Sequence, residues 1–243
     1  MKYNIVQKIA DFGRGMLSVV YPKKCIFCGE IIEETEDVCT VCHRELERID
    51  PLKRCIKCGL VKKYCQCSSR VFRFEGLVSV FEYTGLAKKG YFKYKFSGRE
   101  QYAGYFAKCM ALAVKNEYGD IKFDFLCGVP TSLRSKTKRG YGHTEILCEH
   151  ISYLTGIPYA DKIIFCKNFK KPQHSHGFGE RFENIKGKYY TKDKTNIKGA
   201  TVLLVDDIKT TGASLDECAR VLLWAGADKV YCVTLLETVF KNK

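Results

Sequence analysis

Residues 201–214 read Thr-Val-Leu-Leu-Val-Asp-Asp-Ile-Lys-Thr-Thr-Gly-Ala-Ser. Two acids stand between an unbroken apolar run and a string of small, hydroxylated residues. Val202, Leu203, Leu204 and Val205 suit a strand covered on both faces, as in a parallel sheet. Asp206 and Asp207 then fall at its carboxyl end, where open α/β sheets bind their ligands. Lys209, Thr210, Thr211, Gly212, Ala213 and Ser214 follow. Gly212 admits a tight backbone path, and small side chains let main-chain N–H groups and hydroxyls converge on one anion. A helix starting near Ser214 adds unpaired N–H groups and the positive end of its dipole. The loop suits a phosphate, and the acids suit a polyhydroxylated group or a cation. A phosphorylated sugar meets both demands. An adjacent acid pair alone is more often an ordinary strand end; the chemistry is carried by the whole string.

A second chemistry lies near the N-terminus. Eight of the fourteen cysteines fall between Cys25 and Cys67: Cys25, Cys28, Cys39, Cys42, Cys55, Cys58, Cys65 and Cys67. Thiolates paired at two-residue spacing grip one tetrahedral Zn²⁺ from a tight turn, and two such pairs close a structural site. One or two Zn²⁺ ions are expected. Pairing can be sequential (25, 28, 39, 42 and 55, 58, 65, 67) or cross-braced (25, 28, 55, 58 and 39, 42, 65, 67), the former needing less long-range closure. Residues 23–67 are too few to bury a sound core, so metal would supply much of their folding energy. The other six cysteines stand singly, mostly in apolar stretches, and read as buried reduced thiols.

The elements that must position these groups follow from periodicity. Leu77–Tyr83 reads as a strand. The stretch 90–98, Gly-Tyr-Phe-Lys-Tyr-Lys-Phe-Ser-Gly, alternates aromatic and basic residues; it suits a half-buried strand or an amphipathic helix turn better than a base-stacking surface. Residues 99–118 have helical spacing. Phe123–Val129 is a second apolar strand, ending in Pro130, Thr131 and Ser132 and opening into a basic loop with Arg134, Lys136, Lys138 and Arg139, a second anion site at a sheet edge. Helices are expected from Thr144 to Thr155 and Ser214 to Ala225, and strands over Tyr159–Phe165 and Val230–Leu236. Lys167–Lys194 reads as a loop or hairpin excursion. The alternation argues an α/β parallel sheet.

Three segments result: an amphipathic helix over 1–22, the cysteine-rich module over 23–67, and an α/β domain over 76–243, with a linker at about Ser68–Glu75. The chain has 243 residues and a formal charge of +14. Residues 131–198 carry 14 Lys/Arg against six Asp/Glu, whereas residues 1–67 carry 12 against nine. Basic surface of this kind attracts polyanions. No apolar run reaches the roughly 20 residues of a membrane span, and residues 1–22 lack a secretory pattern, so a cytoplasmic protein is expected.

The loop at 202–214 resembles the 5-phosphoribosyl-1-pyrophosphate (PRPP) loop of type I phosphoribosyltransferases. That resemblance implies that Asp206 and Asp207 hold the ribose diol and that Lys209, Thr210, Thr211, Gly212, Ala213 and Ser214 hold the 5-phosphate. With the cysteine pairs, Lys95-Phe96-x-Gly98-Arg99, Val129-Pro130, Lys138-Arg139-Gly140-Tyr141, Gln173 and Arg181-x-x-Asn184, the chain resembles the ComF proteins of bacterial competence and DNA uptake. These join a zinc module to such a domain. The resemblance implies that Val129, Pro130, Thr131, Ser132, Lys138 and Arg139 hold pyrophosphate, that Arg181 closes over it, and that Mg²⁺ enters with PRPP. Asp206, Asp207 and Arg139 would be the catalytic groups. Gly142 and His143 stand where the family has Asn-Gln. Three functions stay open: transfer at ribose C1 to an unknown acceptor; non-catalytic PRPP sensing with single-stranded DNA or a competence protein as partner; and a zinc-module interaction protein on a vestigial fold.

Overall fold

The computed structural model describes residues 22–46, 48–65, 67–68, 70–96, 101–130, 142–167, 182–192 and 197–238. The amphipathic helix expected over 1–22 lies outside them, save for Pro22. The chain divides into two units, residues 1–46 and 47–243.

In the first unit Cys25 opens a tight turn. The Cys25 N–H donates to the Glu30 carbonyl at 2.7 Å and the Gly29 N–H to the Cys25 carbonyl at 2.9 Å. The short helix α1 (Thr40–Glu45) begins on Cys39, whose sulfur accepts the Cys42 N–H at 3.4 Å.

The second unit repeats that turn. The Cys55 N–H donates to the Leu60 carbonyl at 2.7 Å and the Gly59 N–H to the Cys55 carbonyl at 2.8 Å. Gly59 has φ +76°, and a Cβ there would lie 3.1 Å from Leu77. Only glycine combines that backbone with that contact. The turn therefore rests on the sheet, and Arg54, just before it, donates to the Ser79 carbonyl at 2.8 Å.

The sheet has four strands in the order β1-β6-β5-β2, all parallel: β1 (Gly76–Glu82), β2 (Phe125–Gly128), β5 (Thr201–Lys209) and β6 (Lys229–Glu237). Val202, Leu203, Leu204 and Val205 are all buried. Val202 and Leu204 join the core with Leu215, Cys218 and Leu222 of helix α5 (Ala213–Trp224). Helices α3 (Gln101–Tyr118) and α4 (His143–Thr155) also pack on the sheet. A strand enclosed this way must be apolar throughout, which is why the run was legible.

Beyond β2, Tyr159 makes a single parallel bridge to Leu126 rather than the full strand expected over 159–165. β3 (Phe165–Cys166) pairs antiparallel with β4 (Tyr189–Tyr190), so the excursion expected at 167–194 starts from a hairpin base. Stretch 90–98 is helical where described: α2 spans Gly85–Phe96. The segment expected to be a linker is packed, with Phe72 and Phe74 2% and 0% exposed and their rings stacked at 5.0 Å. Two aromatics in four residues gain more from burial than a tether permits. Cys109, Cys127, Cys148, Cys218 and Cys232 are buried, and Cys166 is half-buried; all are free thiols.

The connections fix where a ligand belongs. From β2 the chain runs through α4 to Tyr159, on one side. From β5 it runs through α5 to β6, on the other. The crevice between the carboxyl ends of β2 and β5 is thus the topological switch point of the sheet.

Candidate functional site

β5 carries Asp206 and Asp207 in its last turns of pleat and continues through Lys209. Thr210, Thr211 and Gly212 then turn the chain into α5. Gly212 sits at the helix start with φ +81°, and the Ala213 N–H is steadied by Thr211 Oγ1 at 3.3 Å. Thr211 and Ala213 are buried and Thr210 and Ser214 half-buried. A twelve-residue helix beginning here directs its first N–H groups and its dipole at the loop.

The neighbouring wall is the end of β2. Gly128 is the register partner of Val205, and the Val129 N–H donates to the Val205 carbonyl at 2.8 Å. Val129 and Pro130 therefore stand beside Asp206 at the switch point. Thr131, Ser132, Lys138, Arg139 and Arg181 lie outside the described residues, as do Gly98, Arg99 and Gln173. The segment after Arg181 is anchored to α5: the Gly187 N–H donates to Glu217 Oε1 at 2.7 Å.

The two acids differ. Asp207 is 9% exposed and its Oδ2 accepts from Tyr91 Oη at 2.7 Å and Lys95 Nζ at 2.9 Å. Asp206 is half-buried, and its Oδ1 accepts the Asp207 N–H at 2.8 Å. Desolvation first, then the charge of Asp207, holds the Asp206 carboxyl well above the usual carboxylate range. Tyr91 and Lys95 were not singled out from sequence as site residues. The signal was present: they stand four apart, on one helix face.

Lys209 is on the string but not at its mouth. It is the register partner of Glu237, and its ammonium meets Glu237 Oε1 at 3.1 Å with side chains 1% and 2% exposed. Its stem and the Phe72 ring lie beneath Gly212, at 3.8 and 3.4 Å from where a Cβ would be. His143 is 2% exposed, edge-on to the Tyr94 ring at 4.9 Å, and its carbonyl accepts from Tyr94 Oη at 2.7 Å. It is a core residue.

Negative charge at the start of α5 is compensated. Asp216 is buried, but Arg73 reaches it at 2.6 Å and the Arg73 N–H donates to its other oxygen at 2.7 Å.

The cysteines form two separate sets, sequentially paired: Cys25, Cys28, Cys39, Cys42 and Cys55, Cys58, Cys65, Cys67. Within each, the sulfurs lie within 4.8 Å of one another. A tetrahedral Zn²⁺ with Zn–S near 2.3 Å sets sulfurs about 3.8 Å apart. The observed separations are 3.7 Å for Cys28–Cys39, 3.8 Å for Cys55–Cys67 and 3.7 Å for Cys58–Cys65. Burial raises the Cys25 thiol, but the N–H groups of Cys28, Cys39 and Phe27 outweigh it and bring it down to about 6. Burial likewise opposes, and the Cys58 N–H, Cys65 and the Lys57 N–H outweigh, to set Cys55 at about 7. Cys42 and Cys67 are pushed up by burial and by the sulfurs around them. Four sulfurs to a set at these separations suit one tetrahedral Zn²⁺ each, as structural zinc sites.

Fold and sites define the class: a double zinc ribbon joined to a phosphoribosyltransferase fold. The double zinc ribbon domain matches residues 16–72 and the phosphoribosyl transferase domain residues 158–242. The chain is similar to curated proteins named YhgH and ComFC. It is 26% identical over 210 residues to the DNA utilization protein YhgH of Salmonella typhimurium, covering 83% of this chain and 91% of the relative. It is 25% identical over 230 residues to the competence protein ComFC of Streptococcus pneumoniae, covering 88% and 99%. Among solved structures, an adenine phosphoribosyltransferase overlaps 59% of this chain and 72% of its own, at 16% identity and a TM-score of 0.37. Among the described residues no helix is long and apolar enough to cross a membrane.

Proposed function

We propose that residues 76–243 bind PRPP and transfer its phosphoribosyl group at C1 with release of pyrophosphate, in a cytoplasmic protein serving DNA uptake. One observation carries the reading: the acid pair and small-residue loop end β5 at the switch point, with Val129 and Pro130 ending β2 alongside. The loop from Thr210 to Ser214 holds the 5-phosphate and Asp206 and Asp207 the diol. Val129 to Ser132, Lys138 and Arg139 take the pyrophosphate, with Arg181 closing over it. As pyrophosphate leaves, the ribose ring gains positive character, and the acids place negative charge beneath it. No covalent nucleophile is needed; fixing both ends of the substrate supplies the positioning. Asp206, whose ionisation is opposed by burial and by Asp207, fits a site that also receives a cation. Mg²⁺ entering with PRPP would neutralise phosphate charge while keeping several waters.

PRPP at about 100 times its Kd is expected to raise unfolding stability by about 2.7 kcal/mol. Pyrophosphate release in the presence of an acceptor marks an enzyme. Binding without release marks a sensor, and no stabilisation sinks the reading.

A second reading has its own observation, the 14 Lys/Arg against six Asp/Glu over 131–198, and the relatives named for DNA utilization and competence. In it the chain binds single-stranded DNA and a protein of the uptake machinery. Affinity for a single-stranded oligonucleotide should fall linearly in log–log against salt and drop in Arg134→Ala/Lys136→Ala. An unchanged double variant removes this surface as the DNA site.

A further inference from the structure

Helix α2 has no part in the reading above, yet it delivers two side chains to one oxygen of Asp207. Tyr91 and Lys95 bond Asp207 Oδ2 and also each other. Tyr91 is 3% exposed, with the Tyr83 ring edge-on at 6.1 Å, so its hydroxyl has little freedom. Burial, then the charge of Asp207, pushes that hydroxyl above its ordinary range, and it stays a donor at any physiological pH. The Lys95 side chain is 23% exposed and supplies the counter-charge that a buried carboxylate requires.

Two donors on Asp207 Oδ2 pin that oxygen against α2, and Oδ1, across the carboxyl carbon, is the oxygen turned away from them. Asp206 Oδ1 instead takes the Asp207 N–H. Asp207 is thus held from α2, whereas this hold on Asp206 comes from within β5. Resting on the PRPP reading, we propose that Tyr91 and Lys95 are positioning residues that orient Asp207 Oδ1 toward a hydroxyl of the sugar diol. They act through Asp207, not on the phosphate loop, which is built from β5 and α5.

That separation supplies the test. Ribose 5-phosphate and its 2,3-dideoxy analogue are titrated calorimetrically into wild type, Tyr91→Phe, Lys95→Met and Lys95→Arg. The readout is the ratio of the two affinities. Wild type should prefer the diol. Lys95→Met should lose about ten-fold or more of that preference, the scale of a hydrogen-bonded charge, while affinity for the dideoxy analogue stays within about two-fold. Lys95→Arg should recover part of it, and Tyr91→Phe should fall between. A general packing defect would lower both affinities together and leave the ratio intact. Should Lys95→Met fail to fold, Tyr91→Phe, which removes a single oxygen, carries the test. A ratio unchanged in variants that bind overturns the positioning role and leaves the PRPP reading standing. A wild type that binds neither sugar phosphate, or both equally, removes the PRPP reading and this role with it.

Discussion

Replacing Glu237 with Gln strips the counter-charge from the Lys209 ammonium. The pair is 3.1 Å apart, with side chains 1% and 2% exposed, and Glu237 Oε2 has no hydrogen-bond partner among the described residues. Breaking a buried pair from one side costs about 3–5 kcal/mol. The carboxamide oxygen still accepts from the ammonium, which returns about 1 kcal/mol. A net loss of about 2–4 kcal/mol corresponds to a fall in Tm of roughly 4–16 °C for a domain of this size. Urea unfolding gives the same quantity as a shift in midpoint at constant slope. The double variant Lys209→Met/Glu237→Leu removes both charges together and is expected near wild-type stability. Glu237→Gln within about 0.5 kcal/mol of wild type, or a double variant as unstable as the single, would refute the buried pair as the support beneath Gly212.

Elemental analysis should return close to two Zn²⁺ per chain, and Cys58→Ser should leave close to one with a lower Tm; a wild-type value near zero removes both sites. Asp206 carries a pH signature. Its carboxyl is raised by burial and by Asp207, so the folded state holds the proton more tightly than the unfolded one. That contribution is full below the ordinary carboxylate range, about pH 4, and is lost as pH rises through the folded value. Asp206→Asn should therefore unfold at higher denaturant than wild type above that range, by a margin that shrinks toward pH 4, while losing PRPP affinity. Equal stability at all pH contradicts the raised carboxyl.

The strand–acid–loop–helix string was legible because a strand buried on both faces must be apolar throughout, and Val202 to Val205 leave no other reading. The cysteine spacing was legible because zinc coordination is local; the pairing was not, and the grouping of the sulfurs into two sets settles it as sequential. What escaped was set by neighbours distant in sequence. Lys209 reads as a loop residue until β5 is seen to continue through it, in register with Glu237. Tyr91 and Lys95 fall in an ambiguous aromatic-basic stretch, and Lys95 entered only through the Lys95-Phe96-x-Gly98-Arg99 resemblance with no role assigned, because nothing in nine residues tells that Asp207, more than 100 positions later, lies against their helix. Phe72 and Phe74 read as linker because a short aperiodic segment hides its burial.

The most direct measurement is calorimetric titration of PRPP with Mg²⁺ into wild type and into Asp206→Ala/Asp207→Ala. Wild type should bind with one site per chain, and the double variant, still folded, should lose that binding. Equal binding by both proteins, or none by the wild type, would contradict a phosphoribosyl site at the end of β5.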